Sequence, residues 1–189
     1  MKSIKTYTEV NRTFFKLERY ESPGKGSEAK APVVLRSIKP EDLREVIVLE
    51  RLCFQKPFPS SYLSTLAYLS PKTFLIAELE GRIVGYAVAS VRGREGHIIS
   101  IAVHPQQRRK GIGEGLLKKI LSILLEEKVS AIILEVRRSN KAAIRLYEKI
   151  GFRIEGVAKG YYSDGEDAFI MRYNISRENG GIFRNEGNP

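Results

Sequence analysis

The sequence predicts an α+β fold, a mixed and mostly antiparallel twisted sheet flanked by helices. Three observations lead there. Short apolar runs joined by glycine-containing turns fill the middle of the chain, the pattern of antiparallel hairpins. The second half then alternates strand, helix, strand, helix and strand. The composition, 42% hydrophobic and 29% charged over 189 residues, suits one domain that buries a real core.

Each element has its own signal. VVLRSI (Val33–Ile38) is a short strand, and Pro40 opens EDLREVIVLERLCF, where Leu43, Val46, Ile47 and Glu50 fall at helical spacing. SSYLSTLAYL (Ser60–Leu69) is a second helix, with Ser60 or Ser61 as its cap. TFLIAEL and IVGYAVASV flank a turn at Glu80–Arg82, and Arg92–Gly96 forms a second turn before the buried-type strand HIISIAV (His97–Val103). A long helix then runs to about Lys128, followed by the strand AIILEV (Ala131–Val136). Ser139 or Asn140 caps KAAIRLYEKI, which Gly151 ends. Strands near Phe152–Ala158 and Ala168–Tyr173, joined by a turn at Ser163–Asp167, complete the domain.

The ends differ in character. Residues 1–32 read as a flexible extension and linker, because SPGKGSEAKAP (Ser22–Pro32) is rich in Gly, Pro, Ser and charge. Within it, YTEVNRTFFKLERY has the pattern of a short docking helix or strand. Residues 33–175 carry the domain, and residues 176–189 read as a disordered tail.

Composition narrows the chemistry. The net charge of +10, from 32 Lys and Arg against 22 Asp and Glu, favours polyanionic or phosphate-bearing partners without choosing among them. A single cysteine, Cys53, excludes an intrachain disulfide and a cysteine-based zinc site, and no metal is expected. No stretch has the length of a signal-peptide apolar region or a membrane span, so a cytoplasmic protein without membrane attachment is expected.

The stretch HPQQRRKGIGEGLLKKI (His104–Ile120) holds the strongest local signal. A dinucleotide GxGxxG loop does not fit, since the glycine after Gly111 and Gly113 is Gly115, one residue early. The GxxxxGK[ST] phosphate loop is absent, and no aromatic residue interleaves the basic run as nucleic-acid binding would favour. A solvated charged turn and a phosphate cradle both remain. For the cradle, the glycines lie where a helix begins, its unpaired N–H groups and dipole facing any anion, with no Cβ in the way. Arg108, Arg109 and Lys110 add charge there.

Read with LEVRRSN, AIRLYEKIGF and GYYSDGEDAFIM, the stretch resembles the GNAT superfamily of acetyl-CoA-dependent N-acetyltransferases. Within it, the chain is similar to ribosomal-protein alanine acetyltransferases and archaeal N-α-acetyltransferases. The resemblance covers about Val33 to Ile175 and rests on four motifs in the family's order and spacing. It implies the GNAT fold, acetyl-CoA as cosubstrate, and protein or nascent-chain N-termini as partners. The basic surplus fits ribosome association without specific nucleic-acid binding, and a monomer or weak dimer is expected.

The resemblance also implies roles. Arg108, Arg109, Lys110, Gly111, Ile112 and Gly113 would hold the coenzyme pyrophosphate through backbone N–H groups. Ile101, Ala102 and Val103 lie where the family's strand bulges and splays, its free amides binding the acetyl carbonyl and stabilising an oxyanion. One such donor changes rates by about 10²–10³. Tyr147 takes the place of the general acid that protonates the departing thiolate, although an amphipathic-helix tyrosine packed on the sheet would look the same. Asn140 matches an asparagine that contacts the cofactor, and as an N-cap it serves both purposes.

Glu135 matches the base of the alanine-acetyltransferase type and projects to the face opposite Leu134 and Val136. His97 matches a histidine that archaeal relatives place near the same water. A free α-amine has a pKa of ~7.7–8.0 against ~10.4 for lysine, so a relay through these two suffices near neutral pH. A surface glutamate and a strand-edge histidine are the plain alternatives. Tyr161 and Tyr162 match paired tyrosines that hold the substrate's first residues, where a simple strand aromatic pair is the alternative. Phe58 and Pro59 lie where the family shapes its first-residue pocket. Some relatives carry a glutamate there that helps them accept methionine. This chain has Gln55 and Lys56 instead, so Ser, Ala or Thr is the expected first residue.

Two rival functions fit the same fold: acetylation of lysine side chains or a small amine, and a non-catalytic acetyl-CoA- or nucleic-acid-binding module. Glu135, Asn140 and Tyr147 together weigh against the second, because a binder needs only the cradle. Cys53 continues the apolar face of a helix and reads as a small buried hydrophobe, not a nucleophile. Cys53→Ala is therefore expected to keep activity; isolation of an acetylated Cys53 would contradict direct transfer.

Overall fold

The computed structural model describes residues 18–20 and 31–175. The expected C-terminal tail, and most of the extension that precedes Ala31, lie outside the described residues. The strands are β1 (Glu18–Tyr20), β2 (Val33–Ser37), β3 (Phe74–Leu79), β4 (Arg82–Arg92), β5 (Glu95–Val103), β6 (Ala131–Arg137), β7 (Arg153–Ala158) and β8 (Ala168–Asn174). The helices are α1 (Leu43–Cys53), α2 (Ser60–Leu69), α3 (Ile112–Glu126) and α4 (Lys141–Ile150). Among the described residues the strands form one sheet in the order β1-β2-β3-β4-β5-β6-β8-β7, parallel only between β5 and β6. β1 pairs with β2 as an edge strand, so the sheet begins inside the segment read as an extension.

The two faces of the sheet carry separate cores. Leu116, Leu117, Ile120, Leu121 and Leu124 form the apolar stripe of α3 and are fully buried against Leu75, Ala87, Ile132 and Leu134, together with Ile144 and Tyr147 of α4. On the opposite face, Val46 and Leu49 of α1 and Leu63 and Leu66 of α2 cover Phe74, Ile76, Tyr86 and Val88. The expected turns are tight. Glu80 and Gly81 both take positive φ, 51° and 74°, as a two-residue hairpin whose twist matches its strands requires. The second hairpin is shorter than expected: β5 starts at Glu95, two residues before His97.

Helix boundaries follow local chemistry. Pro40–Asp42 forms a single tight turn before α1. At α2 the expected serine cap is not used. Pro59 is the cap residue, with φ −56° and ψ 142°, and Ser60 and Ser61 are the first two helical residues. Their carbonyls instead accept from Ser64 and Thr65 one turn on. Asn140 caps α4 as expected, its Oδ1 accepting from Ala143 N at 3.2 Å.

β5 carries the irregularity that shapes the molecule. Its register against β4 shifts between Val88↔Ser100 and Ala89↔Ile98, leaving Ile99 without a partner. Ile99 packs on the α1/α2 core, and the next residue, Ser100, meets Tyr86 of that same core at 2.9 Å. Two successive side chains thus face one side, and Ile101 and Val103 turn to the α3/α4 core. β5 pairs with β6 only from Glu95 to His97. Beyond that the strands diverge, β5 staying with β4 and β6 with β8.

A charged cluster closes the far side of the sheet. Arg36 of β2 forks onto Asp42 at 2.6 and 2.8 Å and reaches Glu78 of β3 at 2.8 Å, with the Arg36 and Asp42 side chains 11% and 7% exposed. Asp42 also accepts the Lys39 N–H at 2.6 Å, so it fixes the start of α1. Asp42→Ala leaves a largely buried guanidinium with one charged partner, Glu78, and is expected to cost about 3–5 kcal/mol in chemical denaturation.

Candidate active site

The divergence of β5 and β6 opens a gap, and the functional side chains gather around its apex. His97 stands at the last β5–β6 pair and Glu135 two residues farther along β6 than its partner Ile133. Their side chains meet, His97 Nε2 to Glu135 Oε2 at 2.7 Å. Glu135 projects away from Leu134 and Val136, which lie in the α3/α4 core, as the alternation of a strand requires. The His97 hydrogen bond, against the opposing effect of burial, holds the Glu135 carboxyl below its ordinary range. Glu135 is therefore an anion at neutral pH and available as an acceptor.

The gap itself is lined by backbone. His104 N–H donates to Val84 O at 2.8 Å, so the two-residue alternation turns the Ala102 N–H to β4 as well. The amides that face the gap belong to Ile101 and Val103. Ala102, expected beside them, places its methyl in the α1/α2 core. Val103 O accepts from Arg108 Nε at 3.0 Å and from the Cys53 thiol at 3.4 Å. Cys53 is half-buried against the α1/α2 core, and burial, although Arg108 opposes it, raises its thiol above the ordinary range. That is the reverse of what a nucleophilic cysteine needs.

At the end of β5 the chain turns through Pro105–Gln107 to the start of α3. Arg109 and Gly111 adopt positive φ, 65° and 81°. Gly111 is the cap residue of α3 and supplies no side-chain acceptor, and the helix's own hydrogen bonds begin with Gly115 N–H to Gly111 O at 2.9 Å. The N–H groups of Ile112, Gly113 and Glu114 are thus free at the positive end of a 15-residue helix. Glu114, the one acid of that turn, is paired with Lys118 at 3.0 Å and Lys149 at 2.6 Å. Free donors at a helix start suit an anion, and their chemistry fits a diphosphate.

Gly111 and Gly113 serve different purposes there. The backbone of Gly111 itself demands glycine, because a side chain is strained at φ 81°. At Gly113 a Cβ would make only ordinary contacts, 3.6 Å to Val103 and 3.7 Å to Leu146. The protein leaves that space open without needing to.

Three tyrosines stand near one another here, Tyr147 close to Tyr162 and Tyr162 against Tyr161. Tyr147 is buried in the α3/α4 core with its ring 5.8 Å from Phe152. Burial pushes its phenol above the ordinary range, so it stays protonated. Tyr161 and Tyr162 sit in the β7–β8 loop, their rings edge to face at 5.1 Å. Burial, then the Glu135 charge, pushes Tyr161 up to about 12, leaving it a hydrogen-bond donor toward that carboxylate. Arg137 lies 3.8 Å over the Tyr162 ring and pairs with Asp164 at 2.9 Å and Glu166 at 2.8 Å. Glu166 also accepts from Ser139 N–H at 2.9 Å, so the loop is strapped to the start of α4. Phe58 packs on Tyr62 at 5.0 Å at the start of α2, and Tyr62 lies near enough to Tyr161 to be felt by its phenol, so the four rings form an aromatic rim.

The His97–Glu135 pair, the cradle and the aromatic rim thus meet around one gap. Sequence reasoning missed Tyr62, Arg137 and the acids that hold Arg137. The acidic run of YYSDGEDA and the paired arginines of LEVRRSN were a visible signal of such a strap.

Residues 43–152 match the model of the acetyltransferase (GNAT) family. The chain belongs to that family. It is 39% identical over 140 residues to an uncharacterised N-acetyltransferase of Methanocaldococcus jannaschii, covering 74% of this chain and 90% of the relative. It is 33% identical over 150 residues to an N-alpha-acetyltransferase of Sulfurisphaera tokodaii, covering 72% and 90%. Among solved structures, Ard1 from Thermoplasma volcanium superposes with a TM-score of 0.73 at 30% identity, over 77% of this chain and 99% of that one. The ribosomal-protein-S18-alanine N-acetyltransferase of Escherichia coli gives 0.69 at 28% identity, over 83% and 99%. As a GNAT acetyltransferase, the protein is an acetyl-CoA-dependent acyltransferase.

Gly113→Ala separates the needs of the fold from those of the ligand. The free protein is expected to be as stable or up to about 1 kcal/mol more stable, since alanine favours a helix. Coenzyme A affinity by calorimetry is expected to fall about 10- to 100-fold, the loss of one charge-assisted hydrogen bond or two weaker ones.

Proposed function

We propose that the protein transfers acetyl from acetyl-CoA directly to the α-amine of protein N-termini, with both substrates bound together. The observation that carries this reading is the His97–Glu135 pair at the apex of the β5–β6 gap, between the cradle and the aromatic rim. The Sulfurisphaera tokodaii relative, an N-alpha-acetyltransferase, supports it.

The cosubstrate supplies a thioester already activated toward amines. The backbone of Arg108–Gly113 and the first turn of α3 grip its pyrophosphate, and Asn140, with its amide nitrogen left over from capping, contacts it nearby. Ile101 and Val103 aim their N–H groups at the acetyl carbonyl oxygen and stabilise charge developing there. Tyr161 and Tyr162, with Phe58 and Pro59 opposite, hold the first residues of the peptide over the apex. Glu135 and His97 orient a water that relays the proton of the α-ammonium away, and an amine of pKa ~8 is readily deprotonated near neutral pH. Tyr147, a neutral phenol beside the gap, donates to the departing sulfur.

Gln55 and Lys56 put no acid in the first-residue pocket, which favours Ser, Ala or Thr there over Met. The surplus of positive charge suits work beside the polyanionic ribosome, where N-termini emerge.

The test uses acetyl-CoA with peptides that differ only in their first residue, following thiol release and locating the added mass. Transfer to the α-amine of Ser-, Ala- and Thr-starting peptides is expected, and Glu135→Gln should lower kcat about 10²–10⁴-fold. Acetylation confined to lysine side chains on peptides with free N-termini would overturn the reading.

A further inference from the structure

One buried carboxylate lies outside the machinery described above. Glu50 sits on the apolar stripe of α1 and is 2% exposed. Its Oε1 accepts the Phe58 N–H at 2.8 Å, and its Oε2 accepts the Tyr86 hydroxyl. Tyr86 in turn meets Ser100 Oγ at 2.9 Å. A carboxylate only accepts, so Tyr86 commits its single proton to Glu50 and Ser100 must donate to Tyr86. The chain of hydrogen bonds has one direction and runs through three elements: α1, β4 and the bulge of β5.

Its two ends are the points that matter for transfer. Phe58 begins the wall of the first-residue pocket and stacks on Tyr62. Ser100 is the residue whose side chain shares a face with Ile99, so it marks the bulge that turns Ile101 and Val103 toward the gap. An apolar residue in place of Glu50 would pack as well in this core but would leave both the Phe58 N–H and the Tyr86 hydroxyl without partners. A buried carboxylate kept in such a place specifies positions more than it adds stability.

We propose that Glu50 is a positioning residue that locks the pocket wall to the β5 bulge through its two oxygens, so that peptide fit and acyl alignment are set by one group. Its geometry stands on its own; its kinetic consequence rests on the N-terminal acetyltransferase reading.

Three variants separate the two arms. Ser100→Ala cuts the link at the bulge and loosens Glu50 without taking it off Phe58; kcat is expected to fall about tenfold, within the 10²-fold that a 1 Å misplacement can cost, and peptide KM to rise about threefold at most. Glu50→Gln keeps the shape but offers one acceptor to two donors; kcat is expected to fall and peptide KM to rise, each about tenfold. Tyr86→Phe should resemble Ser100→Ala. Rates are taken per folded molecule, from melting curves run alongside. If kcat and KM stay within about twofold of the native values in all three, or move together in Ser100→Ala as in Glu50→Gln, the proposal is wrong.

Amide hydrogen exchange gives a readout that needs no peptide substrate. Ser100→Ala is expected to speed exchange at Phe58, and Glu50→Gln at the bulge, with α3 and α4 unaffected, because coupling between sites is reciprocal. Effects confined to each substituted neighbourhood, or spread evenly over the domain, would overturn it. A native protein that acetylates no peptide while showing this reciprocal exchange would refute the function and leave the positioning role intact.

Discussion

A parallel strand pair in the middle of a sheet normally satisfies the backbone on both sides of each strand. β5 does so for three residues only, Glu95 to His97, and then gives up its partner on one side. A single added residue, Ile99, makes this possible by shifting the phase of the strand and bending it away from β6. The functional arrangement depends on that departure. It places His97 at the last shared pair and Glu135 just past it, and it leaves two amides of β5 aimed into a gap. It also carries the end of β5 toward the turn from which α3 starts.

The electrostatics of the two sides of this gap are kept apart. On one side lies a helix terminus whose first-turn acid, Glu114, is neutralised by Lys118 and Lys149. The site therefore keeps the positive character that free N–H groups give it. On the other lies Glu135, held as an anion by His97 and faced by the phenols of Tyr161 and Tyr162, which burial keeps protonated.

Much of this was legible in the sequence. Period and punctuation marked the elements: Glu80–Gly81 as a turn, Asn140 as a cap, and α3 from its leucine stripe. Local chemistry misplaced the α2 cap because two serines at a helix start look like caps, whereas a preceding proline had already set the backbone. The bulge left only a faint mark: Ser100, the one polar residue inside HIISIAV after His97, lies next to the change of phase at Ile99, and a lone serine in an apolar strand does not by itself signal a bulge. Glu50 left a plainer one, a carboxylate on an otherwise apolar stripe, but the partners that explain it are 8 and 36 residues away. Likewise Arg137 and Glu166 belong to one strap although 29 residues separate them. Such pairings are set by the folded sheet and not by neighbours in the chain.

The short pairing of β5 with β6 has one more implication, for how a substrate enters. Many enzymes must lift a lid or unzip a strand before a ligand can reach their interior. Here the groups that would receive the thioester are already released from the sheet. Admission breaks no β5–β6 hydrogen bond. The halves on either side stay tied by the three residue pairs at its root and by α3 and α4 packed beneath. A rigid fold and ready access are thus compatible in this molecule, since the opening is part of the ground state.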